Sequence, residues 1–274
     1  MATEEASEEL VDTSPERTYD TTKLDGDAAG RPRPGRLLLR VLRNLAAVLF
    51  VLAIPIALIT TNVRFVANEP AVYRYAIDQY DGATTTGIAR EELLRGSAEL
   101  RRYFNSSEEP LNIRVERQGR EISLFNPSES DHLRDVKVRF SWMNRIQEAS
   151  ILFALTYVAI VVLWAREITA RRLAVQVAIG SGLTLGLVVL AGVMGMSGFD
   201  QAWAGFHEAI FSGNWRFNTR TDHLIQMFPP EFWQSIVFFI GLLIVAEAAL
   251  ILVAAGLFIG VSGRHRAQQA LAYA

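Results

Sequence analysis

The stretch IVFFIGLLIVAEAALILVAAGLFI, from Ile236 to Ile259, is apolar throughout except for Glu247. A run of this length with a single charge is read as a helix that crosses a bilayer. Working outward, three more windows have the same character: about Leu45 to Thr61, Ala149 to Trp164 and Leu173 to Met196. Four such runs make the fold class all-α transmembrane, a four-helix membrane bundle. Half of the 274 residues are hydrophobic, the formal net charge is −2, and cysteine is absent. The near-neutral charge leaves no electrostatic footprint for nucleic acid. Without cysteine, a thiol nucleophile, a disulfide framework and a thiolate metal site are excluded.

Orientation is read from the arginines. Arg31, Arg33, Arg36, Arg40 and Arg43 precede the first span, Arg166, Arg171 and Arg172 follow the second, and Arg264 and Arg266 follow the fourth. The positive-inside rule places those three segments, and with them both termini, in the cytoplasm. The resulting division begins with an acidic tail over 1–36, predicted to be disordered and cytoplasmic because it has almost nothing to bury. A first span over 37–65, an extracytoplasmic domain over 66–141 and a second span over 142–165 follow. The remainder is a cytoplasmic loop over 166–172, a third span over 173–196, an extracytoplasmic interfacial segment over 197–232, a fourth span over 233–261 and a cytoplasmic tail over 262–274.

The domain between spans one and two reads as small and α+β, helices plus a β-hairpin. Asn68 and Pro70 open a helix running through Tyr73 and Tyr80, and a second helix covers Ala89 to Phe104. Leu111, Ile113 and Val115 then alternate with polar residues as far as Gln118-Gly119, and Ile122 and Leu124 alternate beyond it. Within the bundle, Gly182 with Gly186 and Gly256 with Gly260 are small residues four apart, the spacing of close helix packing. Glu247 is read as a hydrogen-bonded packing residue, with Thr184 or Tyr157 as its partner.

Two polar stretches carry the candidate chemistry. Trp203, Phe206 and Ile210 recur at helical spacing, so a helix capped by Asp200 lies in the bilayer interface and holds His207 at the membrane edge. Trp203, Phe206 and Trp215 are its candidate substrate or interface contacts. In the other stretch, with Ser130 as cap, His132 and Asp135 share one helix face at a spacing of three, where a carboxylate orients an imidazole. Lys137 is one of only two lysines in a chain that otherwise uses arginine, and the two cations are not interchangeable.

The segments SLFNPSESDHLRDVK (Ser123 to Lys137) and FHEAIFSGNWRFNTRTDHLIQMFPPEFW (Phe206 to Trp233) resemble the two signature segments of the lipoprotein intramolecular transacylase family of four-span membrane proteins. Leu133 stands where the family has methionine. The resemblance covers roughly Arg40 to Ile259 and implies an enzyme of the cell membrane with its active site at the outer face. The implied reaction moves the sn-2 acyl chain of a diacylglyceryl-modified lipoprotein to the α-amine of the lipid-bearing cysteine, leaving a lyso-form lipoprotein. The partners so implied are diacylglyceryl-modified lipoproteins and membrane lipid, with no cofactor and no metal. His132 and His207 would divide the proton work as catalytic residues. Lys137 or Arg220 would stabilise the oxyanion, with Asp135 and Asp222 as orienting partners.

Other functions are compatible with the same residues. A non-enzymatic membrane sensor or assembly factor would use the outer domain to bind a ligand or partner. A metal site built from His132, His207 and Asp222 would show in metal analysis of the purified protein. A transporter would need more of a pathway than four spans and one intramembrane acid provide. Which lipoproteins are substrates, which histidine is the base, and the oligomeric state are not encoded in these patterns.

Overall fold

An apolar segment in lipid must satisfy its backbone internally, so the long runs form helices. In the computed structural model four helical segments are long and apolar enough to cross a membrane: Arg36–Asn68, Pro127–Leu163, Ala170–Met196 and Pro230–Gly263. The structure describes residues 34–108, 110–164 and 170–272. The expected acidic tail up to residue 33, Arg166, and the side chains of Arg264, His265 and Arg266 lie outside the described residues. The chain divides into two units, 1–44 and 45–274. In the first, the start of helix α1 (Pro34–Asn68) exposes its leucines. The second unit holds the remainder.

After α1 come α2 (Pro70–Gln79), α3 (Gly82–Thr86) and α4 (Arg90–Phe104), then strands β1 (Arg114–Arg117) and β2 (Arg120–Ser123). Pro70 sits at the start of α2, and the cap is Glu69, whose carboxylate accepts from the Ala71 N–H. The strands are antiparallel, with Val115 opposite Ile122. Gln118 and Gly119 join them with φ of +52° and +75°, the two positive values that a two-residue type I′ turn requires. Gly96 lets α4 lie against this hairpin: a Cβ there would fall 2.7 Å from Leu124 Cδ2.

Helix α5 (Pro127–Leu163) starts earlier than a Ser130 cap allows. Asn126 is the cap, accepting from the Glu129 N–H while Glu129 returns a bond to the Asn126 N–H. Such a reciprocal box satisfies two otherwise orphaned donors, and Ser130 falls inside the helix. At 1.5 Å per residue α5 is roughly 55 Å long, far more than the ~30 Å of hydrocarbon. Its first half, bearing Glu129, Asp131, Arg134 and Asp135, therefore stands clear of the lipid core.

Helix α6 (Ala170–Ile210) is broken at Gly198, where ψ is 71°. The arm beyond the break carries Trp203 and His207, and Asp200 lies within that arm rather than capping it. A loop, the short α7 (His223–Met227) and α8 (Pro230–Ala272) complete the chain. One core joins the small domain to the end of α7 and the start of α8, burying Ile77, Ile88, Leu93, Leu100, Val115 and Leu124 with Met227, Phe228 and Phe232.

Two bundle expectations are corrected. The glycines at Gly182, Gly186, Gly256 and Gly260 have nothing within 4 Å of a Cβ position. The close approach is instead at Gly180, where a Cβ would meet Ile54 Cδ1 at 2.5 Å. Glu247 accepts from Asn62 Nδ2 at 2.7 Å. Thr184 bonds back to the Gly180 carbonyl, and Tyr157 donates to Gln176, so neither expected partner is its donor.

Candidate active site

The two histidines reach one place from distant parts of the chain. His132 sits on the second turn of α5 and His207 near the end of the α6 arm. Their ring centroids are 6.1 Å apart and the planes are inclined by 22°. Phe211 packs against both rings, at 5.0 Å from His132 and 5.4 Å from His207. Phe217 closes on His132 at 5.4 Å, while Trp203 and Trp215 flank His207 at 4.5 and 4.8 Å. Phe206 meets His207 edge-on at 5.3 Å and remains 49% exposed. The pair thus occupies an aromatic cage that opens on an apolar surface.

Burial in this cage disfavours charge on both imidazoles. His132 is pushed down to about 4, chiefly by desolvation, then by His207, with Asp135 acting in the opposite direction. His207 is also lowered by desolvation, and its bond to the Trp203 carbonyl opposes that. Because His207 Nδ1 lies 2.9 Å from that carbonyl, which only accepts, Nδ1 carries the proton. Nε2 is left as the nitrogen that takes up or returns one.

The loop carrying Phe211, Trp215 and Phe217 is fastened to the tip of α5. Asn126 donates to Asp222 Oδ1 at 3.1 Å, Asn214 to Ser128 at 3.1 Å, and the Leu224 N–H to Glu129 Oε1 at 2.6 Å. Glu129 is 1% exposed. Desolvation raises its pKa, against the lowering effect of the N–H groups of Leu224 and Asn126. Arg139 donates from both Nε and Nη2 to the Ile210 carbonyl, at 3.3 and 3.2 Å, which ties the end of the α6 arm to α5.

The sequence-predicted residues therefore separate into two groups. His132, His207, Asp135, Trp203, Phe206 and Trp215 come together; the Asp135 carboxylate also lies 3.3 Å from where a Cβ on Gly213 would be. Lys137, on another face of α5, is buried with its ammonium 3.9 Å from the centre of the Tyr103 ring and bonded to the Glu108 carbonyl. Asp222 accepts from Asn126, Thr221 and the Asn218 N–H, so it fastens the loop. Arg220 is exposed, with its backbone N–H held by Asn218.

Sequence reasoning missed Arg139, Glu129, Phe211 and Phe217. Arg139 lies 5.9 Å from the Phe211 ring centre, the ring that touches both histidines. Its position seven residues after His132, on the same helix face, was a usable signal. So was the Asn126-Pro127-Ser128-Glu129 pattern of a capping box.

Comparison with known proteins agrees with this architecture. Residues 48–233 match the model of the lipoprotein intramolecular transacylase family. A solved structure of the membrane integral lipoprotein intramolecular transacylase from Bacillus cereus is similar, with a TM-score of 0.68 at 18% identity, covering 82% of this chain and 98% of that one. Two more structures of that protein, with one histidine replaced by arginine or by alanine, both give a TM-score of 0.66 at 17% identity. They cover 85% and 84% of this chain and 99% of each of theirs. These identities show a shared fold. No significant match was found among curated proteins. With the family match spanning well over half of its length, the chain belongs to the lipoprotein intramolecular transacylase family and is a multi-pass membrane acyltransferase.

Proposed function

We propose that this enzyme moves the sn-2 acyl chain of a diacylglyceryl-cysteine lipoprotein to the α-amine of the same cysteine, using His132 and His207 as acid and base. The observation that carries this reading is the pair itself: two imidazoles in one aromatic cage, each held toward its neutral form. The amine nitrogen attacks the ester carbonyl carbon, and a neutral histidine takes the amine proton. As the carbonyl carbon releases the sn-2 oxygen, a proton returns to that oxygen, so the imidazoles end as they began. The substrate supplies its own nucleophile, and most of the rate gain comes from holding amine and ester together. His207 Nε2 is one proton carrier, and Asp135 supports the charge that develops on His132.

Arg139 takes the oxyanion role for which Lys137 and Arg220 were candidates. A guanidinium has five donors, of which two are used on the Ile210 carbonyl. Phe206, Trp203 and Trp215 form the lipid-facing side, against which the acyl chains lie. The arginine distribution supports placing this end of the bundle at the outer face of the cell membrane, with both termini in the cytoplasm.

Mass spectrometry of lipoprotein N-termini tests the reading. Cells with the wild-type protein yield N-acyl lyso-form lipoprotein, and well-expressed His132→Ala or His207→Ala yields on the order of 100-fold less or lower still. Undiminished conversion in both variants would overturn the two-histidine mechanism.

A further inference from the structure

A cavity of about 430 Å3 lies beside the tip of α5, lined among others by Ser123, Phe125, Pro127, Ser130, Thr221 and His223. Its volume falls within the roughly 300–1,000 Å3 usual for ligand sites, and the proposed chemistry does not use it. We propose that it is the subsite for the polypeptide that follows the lipid-bearing cysteine of the substrate, an inference that rests on the transacylase reading.

Position is the first reason. Glu129 precedes His132 by three residues, a rise of about 4.5 Å along α5, so the cavity and the histidine pair share one end of one helix. The aromatic cage takes the apolar side of that end, where Phe206 is exposed. A lipoprotein is half lipid and half polar chain, and its protein part must leave the ester on a side that is not lipid. The cavity offers that side.

The donors and acceptors in the cavity are the second reason. His223 Nδ1 lies 2.7 Å from the Leu124 carbonyl, so Nδ1 is the donor there, and in the neutral ring Nε2 is the acceptor. Ser123 Oγ donates to the Phe125 carbonyl, and Thr221 Oγ1 donates to Asp222 Oδ1. With those hydrogens spent, both hydroxyl oxygens are left as acceptors. A polypeptide presents an N–H at nearly every residue and fits an acceptor-rich wall, whereas an acyl chain would leave each acceptor unpaired. An anion is a poor fit as well. The N-terminus of α5 is already occupied by the buried Glu129 carboxylate, bonded to the N–H groups of Asn126 and Leu224. Phe125 and Pro127 supply the apolar contact for small side chains.

The test compares two substrates on the full-length reconstituted enzyme: a diacylglyceryl-cysteine peptide with several polar residues after the cysteine, and diacylglyceryl-cysteine amide with no peptide. Product is read as N-acyl lyso form by mass spectrometry. The wild-type KM for the lipopeptide should be about tenfold below that for the amide, the size of one or two hydrogen bonds. Ser130→Trp, which fills the cavity, and His223→Lys, which keeps a donor for Leu124 and has no acceptor, should each remove that advantage with little change in kcat. Equal wild-type KM values for both substrates, or variants that raise KM equally for both, would overturn the subsite while leaving the transacylase reading in place. Absence of lyso product from either substrate with wild-type enzyme would instead overturn the transacylase reading, and the subsite with it. If Ser130→Trp does not fold, His223→Lys decides alone.

Discussion

His132 and His207 lie 6.1 Å apart, centroid to centroid, with their planes 22° from parallel, and neither ring is free to gain charge without affecting the other. A proton on His207 depresses the affinity of His132 for a second one, so the pair carries one proton more readily than two. Residues that act as one unit show strongly non-additive mutant effects. His132→Ala and His207→Ala should each lower transacylation on the order of 100-fold or more, and the double variant should fall little further. Initial rates of the three variants check this; a multiplicative loss in the double variant would show that they act separately.

Acid tolerance follows from the aromatic cage. His132 titrates near 4 rather than 6.5 when folded, so the unfolded chain binds more protons between those values. Stability therefore rises with pH across that window and gains nothing more from this residue above it. His132 is unprotonated over the same range, so once the falling free-amine fraction of the substrate (α-amino pKa roughly 8) is divided out, the remaining rate should show no His132 limb between pH 8 and about 5. Phe217→Ala admits water to His132 and should move the acid limb of the rate profile upward, toward 6.5. A wild-type acid limb centred on 6.5 would count against burial as the controlling factor.

Lys137 should prove structural. Its ammonium is buried against the Tyr103 ring and the Glu108 carbonyl, and a planar guanidinium does not fit a compact ammonium site. Lys137→Ala is expected to cost roughly 1–3 kcal/mol, the usual loss of a charge-assisted bond with a cation–π contact. Thermal unfolding in detergent measures it. The kcat of protein that remains folded should hold.

Glu129→Gln tests the fastening of the loop. Its two carboxylate oxygens accept from the N–H groups of Asn126 and Leu224, and a glutamine would present an NH2 to one of those donors. The expected cost is about 1–3 kcal/mol. Faster backbone hydrogen exchange over 211–224 would report it, without a matching change in α6 or α8.

The spans, the hairpin and the histidine pair were legible in the sequence because each rests on a repeating or local signal: apolar length, alternation around Gln118-Gly119, and two motif segments. The partners were less legible. Asn62 bonding to Glu247 and Asn126 to Asp222 join residues more than ninety positions apart, and no periodicity announces such a bond. Lys137 misled for a related reason. Its rarity marked it as special, but five residues after His132 it is turned about 140° from that face of a helix, so rarity was weighed where spacing should have been. Gly180 was passed over because small-residue spacing says nothing about which turn of a neighbouring helix comes close.

The small domain borrows part of its interior. Met227, Phe228 and Phe232, buried among Ile77, Leu93 and Leu124, belong to α7, the turn after it and the first residues of the last span. Chain order thus becomes build order: when ribosomal synthesis has produced α2 through α5, the interior of that domain still has a gap where these three side chains belong. A chain stopped at residue 222 would carry both His132 and His207 and most of the loop around them, yet lack Leu224, which bonds Glu129, and the three side chains that complete the core. The core behind the site is therefore complete only once the chain has been made through Phe232.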